Sequence, residues 1–187
     1  MIEYVVFYNE WLSLPKAEFN VLAMVAEHGG TYAGNLSDMC RYLNVTPQSR
    51  NREPLRSAIE SLTSKGFLSC DTRGRTYHLN VIPRETEVRL PRLWVQSVIR
   101  HNYSSESVAF TQVLKVFMWI TQNRMEVVTN AILAAELGIS ESTVCAAKNV
   151  LQHEYENIIK KKVSQKWGDG FRTLGQELAA NAWWTEI

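Results

Sequence analysis

The chain has few cysteines, and their spacing fits neither a disulfide framework nor a metal site. Its 187 residues include three cysteines, Cys40, Cys70 and Cys145. They are far apart and form no Cys-x-x-Cys pair. We therefore expect reduced thiols and no zinc. The first residues also lack the positive region and apolar run of a secretion signal. These absences predict a cytoplasmic protein that needs no metal or other cofactor.

Long apolar runs and the sequence motifs of enzymes are missing as well. The apolar stretch 113–120 is interrupted by Lys115 and falls short of the roughly 20 residues that span a bilayer. The four histidines form no ligand-spaced pair. No glycine-rich phosphate loop and no Gly-x-Ser-x-Gly segment occurs. We expect a protein that does not contact membranes and is not an enzyme.

An excess of positive charge, which is typical of nucleic-acid-binding domains, is also missing. The 20 Lys and Arg residues against 19 Asp and Glu give a net charge of +1. The charges are nevertheless segregated, because residues 1–40 contain one base and five acids, whereas residues 41–75 contain seven bases and three acids. One face of the protein can therefore be basic although the whole is neutral.

The first half of the chain has the hydrophobic pattern of a helix, a strand, two helices and a β-hairpin. In chain order these are a helix after Pro15, a strand at 31–33, a helix from Asn35, a helix with Leu55, Ile59 and Leu62 inward, and strands at 67–70 and 76–79. Pro54 fits a first helical turn, so the N-cap of the third helix is predicted at Asn51. This order of elements is that of a winged helix.

The second half repeats this order. The pattern predicts helices over 107–122 and 130–137, a third helix capped by Ser140, and hairpin strands at 158–166 and 171–174. We therefore predict an α+β fold, mainly α, with two tandem winged-helix domains at 1–82 and 105–187. Residues 83–104 are predicted as a linker, in which Trp94, Val95, Val98 and Ile99 form the apolar stripe of a short amphipathic helix.

Candidate DNA-binding residues cluster in the first copy. They are Gln48, Ser49, Arg50, Asn51, Arg52 and Arg56 at the start of the third helix, and Arg73 and Arg75 at the hairpin tip. Arginine pairs with guanine, and Asn or Gln with adenine, while the remaining groups can hold phosphates. The alternatives are a solvated helix start and an ordinary solubilising turn.

The second copy offers weaker candidates. They are Ser142, Thr143, Lys148 and Asn149 on its third helix, and Lys160, Lys162 and Lys166 on the following strand. That helix has no arginine, so contact with the DNA backbone is expected there rather than reading of bases. A plain solvated strand is the alternative for the lysines.

Three segments resemble a known family. Residues 8–15, Thr46–Leu62 and residues 90–94 resemble helix-turn-helix replication-initiator or replisome-organiser proteins of Gram-positive phages and mobile elements. The resemblance covers about the first hundred residues. It implies binding to an origin or operator, self-association, and replication proteins as further partners.

Two functions remain open from the sequence. The first is binding of double-stranded DNA as a transcriptional regulator or replication initiator of a mobile element, which the basic segment 41–75 favours. The second is a protein-interaction scaffold of tandem winged helices, of the chromosome-segregation-complex type, which the near-neutral charge and the apolar stripes at 94–99 and 183–184 favour. The same stripes predict a homodimer, because large exposed apolar groups mark interaction surfaces.

Overall fold

Helices and short antiparallel sheets alternate along the chain in two blocks. The computed structural model describes residues 3–100, 108–123, 127–153, 158–167 and 170–180, the last two ranges by their backbone. The chain divides into two compact units, Met1–His101 and Asn102–Ile187, and is an α+β protein in which helix predominates. Of the helices described, none is both long and apolar enough to cross a membrane.

The first unit contains four α-helices and two small sheets. Its elements are β1 (Tyr4–Tyr8), a 3-10 helix (Asn9–Ser13), α1 (Lys16–Glu27), β2 (Thr31–Gly34), α2 (Leu36–Tyr42), α3 (Ser49–Ser64), β3 (Leu68–Arg73), β4 (Thr76–Val81), β5 (Glu87–Pro91) and α4 (Arg92–Arg100). One antiparallel sheet has the strand order β2-β4-β3, and the other pairs β1 with β5.

Local signals explain where α1 and α2 begin and end. Gly29 and Gly30 follow α1 with φ values of 81° and 85°, a backbone conformation that glycine adopts without strain. The side chain of Asn35 caps α2 by accepting from the backbone N–H groups of Ser37 and Asp38, at 2.8 and 3.1 Å. Asn44, with φ 55°, then turns the chain toward α3.

Helix α1 forms the centre of the first core. All its residues from Val21 to Glu27 are buried, because α3, the sheet with β4, β1 and α4 pack around it. Phe7 on β1 packs against Trp11 and Phe19, with ring centroids 5.6 and 6.3 Å apart. A helix that is apolar on every side requires such complete cover.

Most of the predicted linker at 83–104, up to residue 101, is part of the first unit. Strand β5 pairs with β1 in register from Tyr4 opposite Pro91 to Tyr8 opposite Glu87, and α4 buries its whole apolar stripe, including Trp94 and Val98. The division between the units therefore lies at residues 101 and 102. Because Trp94 and Val98 are already covered, they give no support to a dimer.

The second unit repeats the order of helices and strands. Its elements are α5 (Phe110–Gln122), β6 (Val127–Val128), α6 (Asn130–Leu137), α7 (Glu141–His153), β7 (Ile158–Trp167) and β8 (Gly170–Ala180), with the strand order β6-β8-β7. Gly138, with φ 63°, ends α6. Ser140 caps α7, as predicted, since its Oγ accepts from the backbone N–H of Thr143 at 3.1 Å. Strand β6 was not predicted.

Candidate nucleic-acid interface

Helix α3 begins earlier than the sequence predicted. Gln48 is the N-cap residue and Pro54 is the sixth residue of the helix. The prediction of an N-cap at Asn51 was wrong, because the Asn51 side chain points back to the preceding turn and donates to the carbonyl oxygen of Thr46 at 2.7 Å. Since Pro54 has no N–H, the carbonyl of Arg50 lacks its usual helical partner.

The outward face of α3 is set by its buried residues. Leu55, Ala58, Ile59 and Leu62 are buried. Helical spacing then places Glu53, Ser57 and Glu60 opposite them, and all three are exposed. None of these three residues was among the predicted DNA-binding residues, although the spacing of the apolar residues contains the signal.

A cleft of about 740 Å³ lies between α2, α3 and the hairpin tip. Its lining residues are Asn35, Leu36, Ser37, Arg41, Arg52, Glu53, Arg56, Gly74, Arg75 and Tyr77. Four of them are arginines and one is a carboxylate. The turn at Gly74, with φ 65°, brings the start of β4 back toward α3. The cleft thus collects positive charge from three separate elements.

The arginines around this cleft fall into two groups. Three form exposed ion pairs: Arg41 with Asp38 at 2.7 Å, Arg56 with Glu53 at 3.1 Å and Arg73 with Asp71 at 2.9 Å. Exposed pairs of this kind contribute at most about 1 kcal/mol, so a phosphate can displace the carboxylate. The side chains of Arg50, Arg52 and Arg75 form no ion pair or hydrogen bond with the part of the chain that the structure describes. Gln48, Ser49 and Arg50 are exposed at the start of α3.

Tyr77 on β4 lines the same cleft as Arg56 on α3. A hydrogen bond with the Tyr77 hydroxyl, followed by the charge of Glu53, raises the pKa of the Arg56 guanidinium. The guanidinium therefore lies between the hairpin and its own helix. Its neighbour Arg52 has no such restraint.

Buried contacts hold α3 in place. The carboxylate of Glu18 on α1, which is buried, accepts from Lys65 Nζ at 2.8 Å and from Ser61 Oγ at 2.9 Å. At the end of α3, Arg84 donates to the Gly66 carbonyl at 2.6 Å and stacks over the Phe67 ring. These contacts fix the helix against the core, so that its polar face keeps one orientation.

The corresponding helix of the second unit has a different surface. The hydroxyls of Ser142 and Thr143 lie 2.9 and 2.7 Å from Ser140 Oγ, which places them in the cap of α7. Asn149 is exposed. Lys148 was predicted on the outer face, and this prediction was wrong. The residue is 3% exposed and donates to Oδ1 of Asn130 on α6. Its position four residues after the buried Val144 explains this burial.

The three lysines predicted on the second hairpin lie on β7. Lys160 is opposite Leu178, Lys162 is opposite Gln176 and Lys166 is opposite Phe171, with a β-bulge between Val163 and Ser164. Their side chains are outside what the structure describes. Contact of these lysines with DNA stays a prediction.

Comparison with known proteins adds no family to this description. No protein-family model matches the chain, and no curated protein matches it by sequence. Among the described residues, no group of three or more His, Cys, Asp and Glu side chains could hold a metal ion.

Proposed function

We propose that the protein binds duplex DNA through two winged-helix units, as a transcriptional regulator or replication initiator of a mobile element. The observation that carries this proposal is the arginine-lined cleft between α3 and the hairpin. The strand orders β2-β4-β3 and β6-β8-β7 match. In each sheet a pair of helices follows the first strand along the chain and precedes the other two, and this shared order supports the winged-helix assignment. A helix with a polar outer face beside a basic hairpin suits the major groove and the adjacent backbone.

In this proposal the arginines without an ion pair have two roles, base recognition and phosphate binding. Arg50, exposed at the start of α3, reaches a base edge, where a guanidinium binds guanine through two hydrogen bonds. Arg52 and Arg75 line one cleft and hold the phosphate backbone. The second unit contacts the backbone through the hydroxyls at the start of α7, because α7 carries no arginine.

The alternative, a protein-interaction scaffold, has less support than it had from the sequence. One of its three signals was the apolar stripe at 94–99, whose apolar residues Trp94, Val95, Val98 and Ile99 are buried. Self-association stays a prediction that rests on Trp183 and Trp184, which lie outside the described residues. Replication proteins as partners stay a prediction as well.

Binding to a random duplex at low and moderate salt separates the two functions. We expect the wild-type protein to bind and to lose affinity as salt rises. The variant Arg52→Ala/Arg75→Ala should show a salt dependence that is shallower by roughly two phosphate contacts. The control is Arg89→Ala, which removes an exposed arginine of β5 outside the cleft and should leave binding unchanged. If the wild-type protein does not bind the duplex even at low salt, the scaffold function replaces DNA binding as the proposal.

A further inference from the structure

The arginine-lined cleft contains one carboxylate among its lining residues, that of Glu53. Both of its oxygens lie 3.1 Å from Nη1 of Arg56. Glu53 therefore neutralises one cation of a surface that otherwise suits a polyanion. A surface that binds phosphates alone gains affinity from each cation it offers, so this carboxylate needs a separate explanation.

Glu53 also lies on the outward face of α3. It lies opposite the buried residues Leu55 and Ile59, and its side chain is 58% exposed. Arg50 is also exposed near the start of the helix. A carboxylate at this position faces whatever the helix approaches.

We propose that Glu53 is a selectivity residue of the cleft, which weakens binding to arbitrary DNA and is compensated only where a base edge presents an amino group. This inference rests on the proposed function. On arbitrary sequences the contacts are to phosphates, and the Glu53 carboxylate repels them and competes for Arg56. In the major groove, the cytosine amino group is the donor that glutamate accepts from. Discrimination then arises from a repulsive element as well as an attractive one.

The ion pair is weak enough to exchange when DNA binds. Glu53 and Arg56 are three residues apart on one helix and both are well exposed, so solvent screens their attraction. Tyr77 lines the cleft together with Arg56, so the guanidinium keeps a polar neighbour there while its carboxylate partner changes. A phosphate can therefore take Arg56, which releases Glu53 to a base.

The test compares Glu53→Gln with the wild-type protein, each as the full chain, on a random duplex and on fragments that the wild-type protein selects from a random pool. Glutamine keeps the size of the side chain and removes its charge. We expect binding to the random duplex to tighten about fivefold at low salt, with a salt dependence steeper by roughly one phosphate contact. The gain on selected fragments should be smaller, and a cytosine preferred by the wild-type protein should no longer be selected.

Glu60→Gln is the matched control, because Glu60 is exposed on the same face of α3 but does not line the cleft. Equal effects of the Glu53 and Glu60 substitutions would overturn the inference, and so would equal tightening on random and selected DNA. In both cases DNA binding by the wild-type protein would stand. If the wild-type protein and both variants fail to bind any duplex, the proposed function falls and this inference falls with it.

Discussion

Helices α3 and α7 have the same place in their units but different exposed chemistry. The buried stripes are alike, with Leu55 and Ile59 in one helix and Val144 and Leu151 in the other. Around these stripes α3 carries arginines, whereas α7 carries hydroxyls and amides. The apolar residues therefore determine the architecture, while the polar residues determine what each copy can bind.

The first unit also has a layer that the described part of the second unit lacks, formed by β1, β5 and α4. Its attachment is a buried carboxylate, Glu27, which is 4% exposed at the end of α1. Glu27 accepts from Tyr42 at 2.6 Å, from Gln96, and from Arg92 Nε at 3.3 Å. Arg92 also pairs with Glu3 at 2.9 Å. One guanidinium thus joins the first strand, the first helix and the fourth helix.

The largest effect that we predict is the loss of this attachment. Arg92→Ala should lower the free energy of unfolding by about 3–5 kcal/mol, because Glu27 would stay buried after losing its positive partner. Urea unfolding followed by circular dichroism measures the change. The matched control is Arg89→Ala, whose exposed pair with Glu87 contributes at most about 1 kcal/mol. Equal losses in the two variants would show that Arg92 does not anchor this layer.

The two units should also respond differently to pH, since each buries an ionisable group with a shifted pKa, the acid Glu27 in the first unit and the base Lys115 in the second. Burial raises the pKa of Glu27, but hydrogen bonds from Tyr42, Gln96 and Arg92 outweigh it, and the pKa lies below its ordinary value. Stability from Glu27 is therefore present above pH 4.5 and is lost as the pH falls below it. In the second unit, burial lowers the pKa of Lys115 from 10.5 to about 8.

Lys115 should make the protein more stable in alkali. Between about pH 8 and 10.5 the unfolded chain binds this proton and the folded chain does not, so the free energy of unfolding rises with pH. The gain is on the order of 3 kcal/mol. Lys115→Met should remove this gain and raise stability at neutral pH, because the buried charge no longer has to be desolvated. Parallel pH profiles of the two proteins in urea unfolding would contradict the assignment.

The sequence predicted those features that depend on neighbouring residues. Asn35 and Ser140 cap helices through contacts within three residues, and the helix starts at both places followed from local chemistry. Strand β5 did not follow, because it pairs with β1, at the opposite end of the first unit's sequence. A half-buried strand looks like a polar linker until its partner is known.

The candidate site was predictable only in part, because its residues follow from local sequence but their arrangement depends on tertiary packing. The arginines of α3 and the hairpin could be identified as a set, but their grouping around one cleft depends on tertiary packing. Burial of Lys148 depends on Asn130 of another helix, which no pattern within α7 indicates. Glu53 is the exception, since helical spacing alone places it on the outer face.

The third prediction tests the contrast between α3 and α7 directly. Arg50→Ala should weaken binding to the preferred site by about 1–3 kcal/mol and change which fragments are selected from a random pool. Asn149→Ala on α7 should alter neither by a comparable amount, because the second unit is proposed to contact only the backbone. Relaxed selection in the Asn149 variant, with the Arg50 variant unaffected, would assign sequence reading to the second unit instead.

The smallest effect that we predict concerns the caps that start the helix pairs. Asn35 accepts from two backbone N–H groups and donates to Asp38 at 2.6 Å, whereas Ser140 accepts from one. Asn35→Ala should therefore lower the free energy of unfolding more than Ser140→Ala does. Each loss should be about 1 kcal/mol, measured by urea unfolding. Asn35→Ser keeps an acceptor and serves as the control, with most of the stability retained. A larger cost at Ser140 would show that its hydroxyl contacts with Ser142 and Thr143 contribute more than the second N–H does at Asn35.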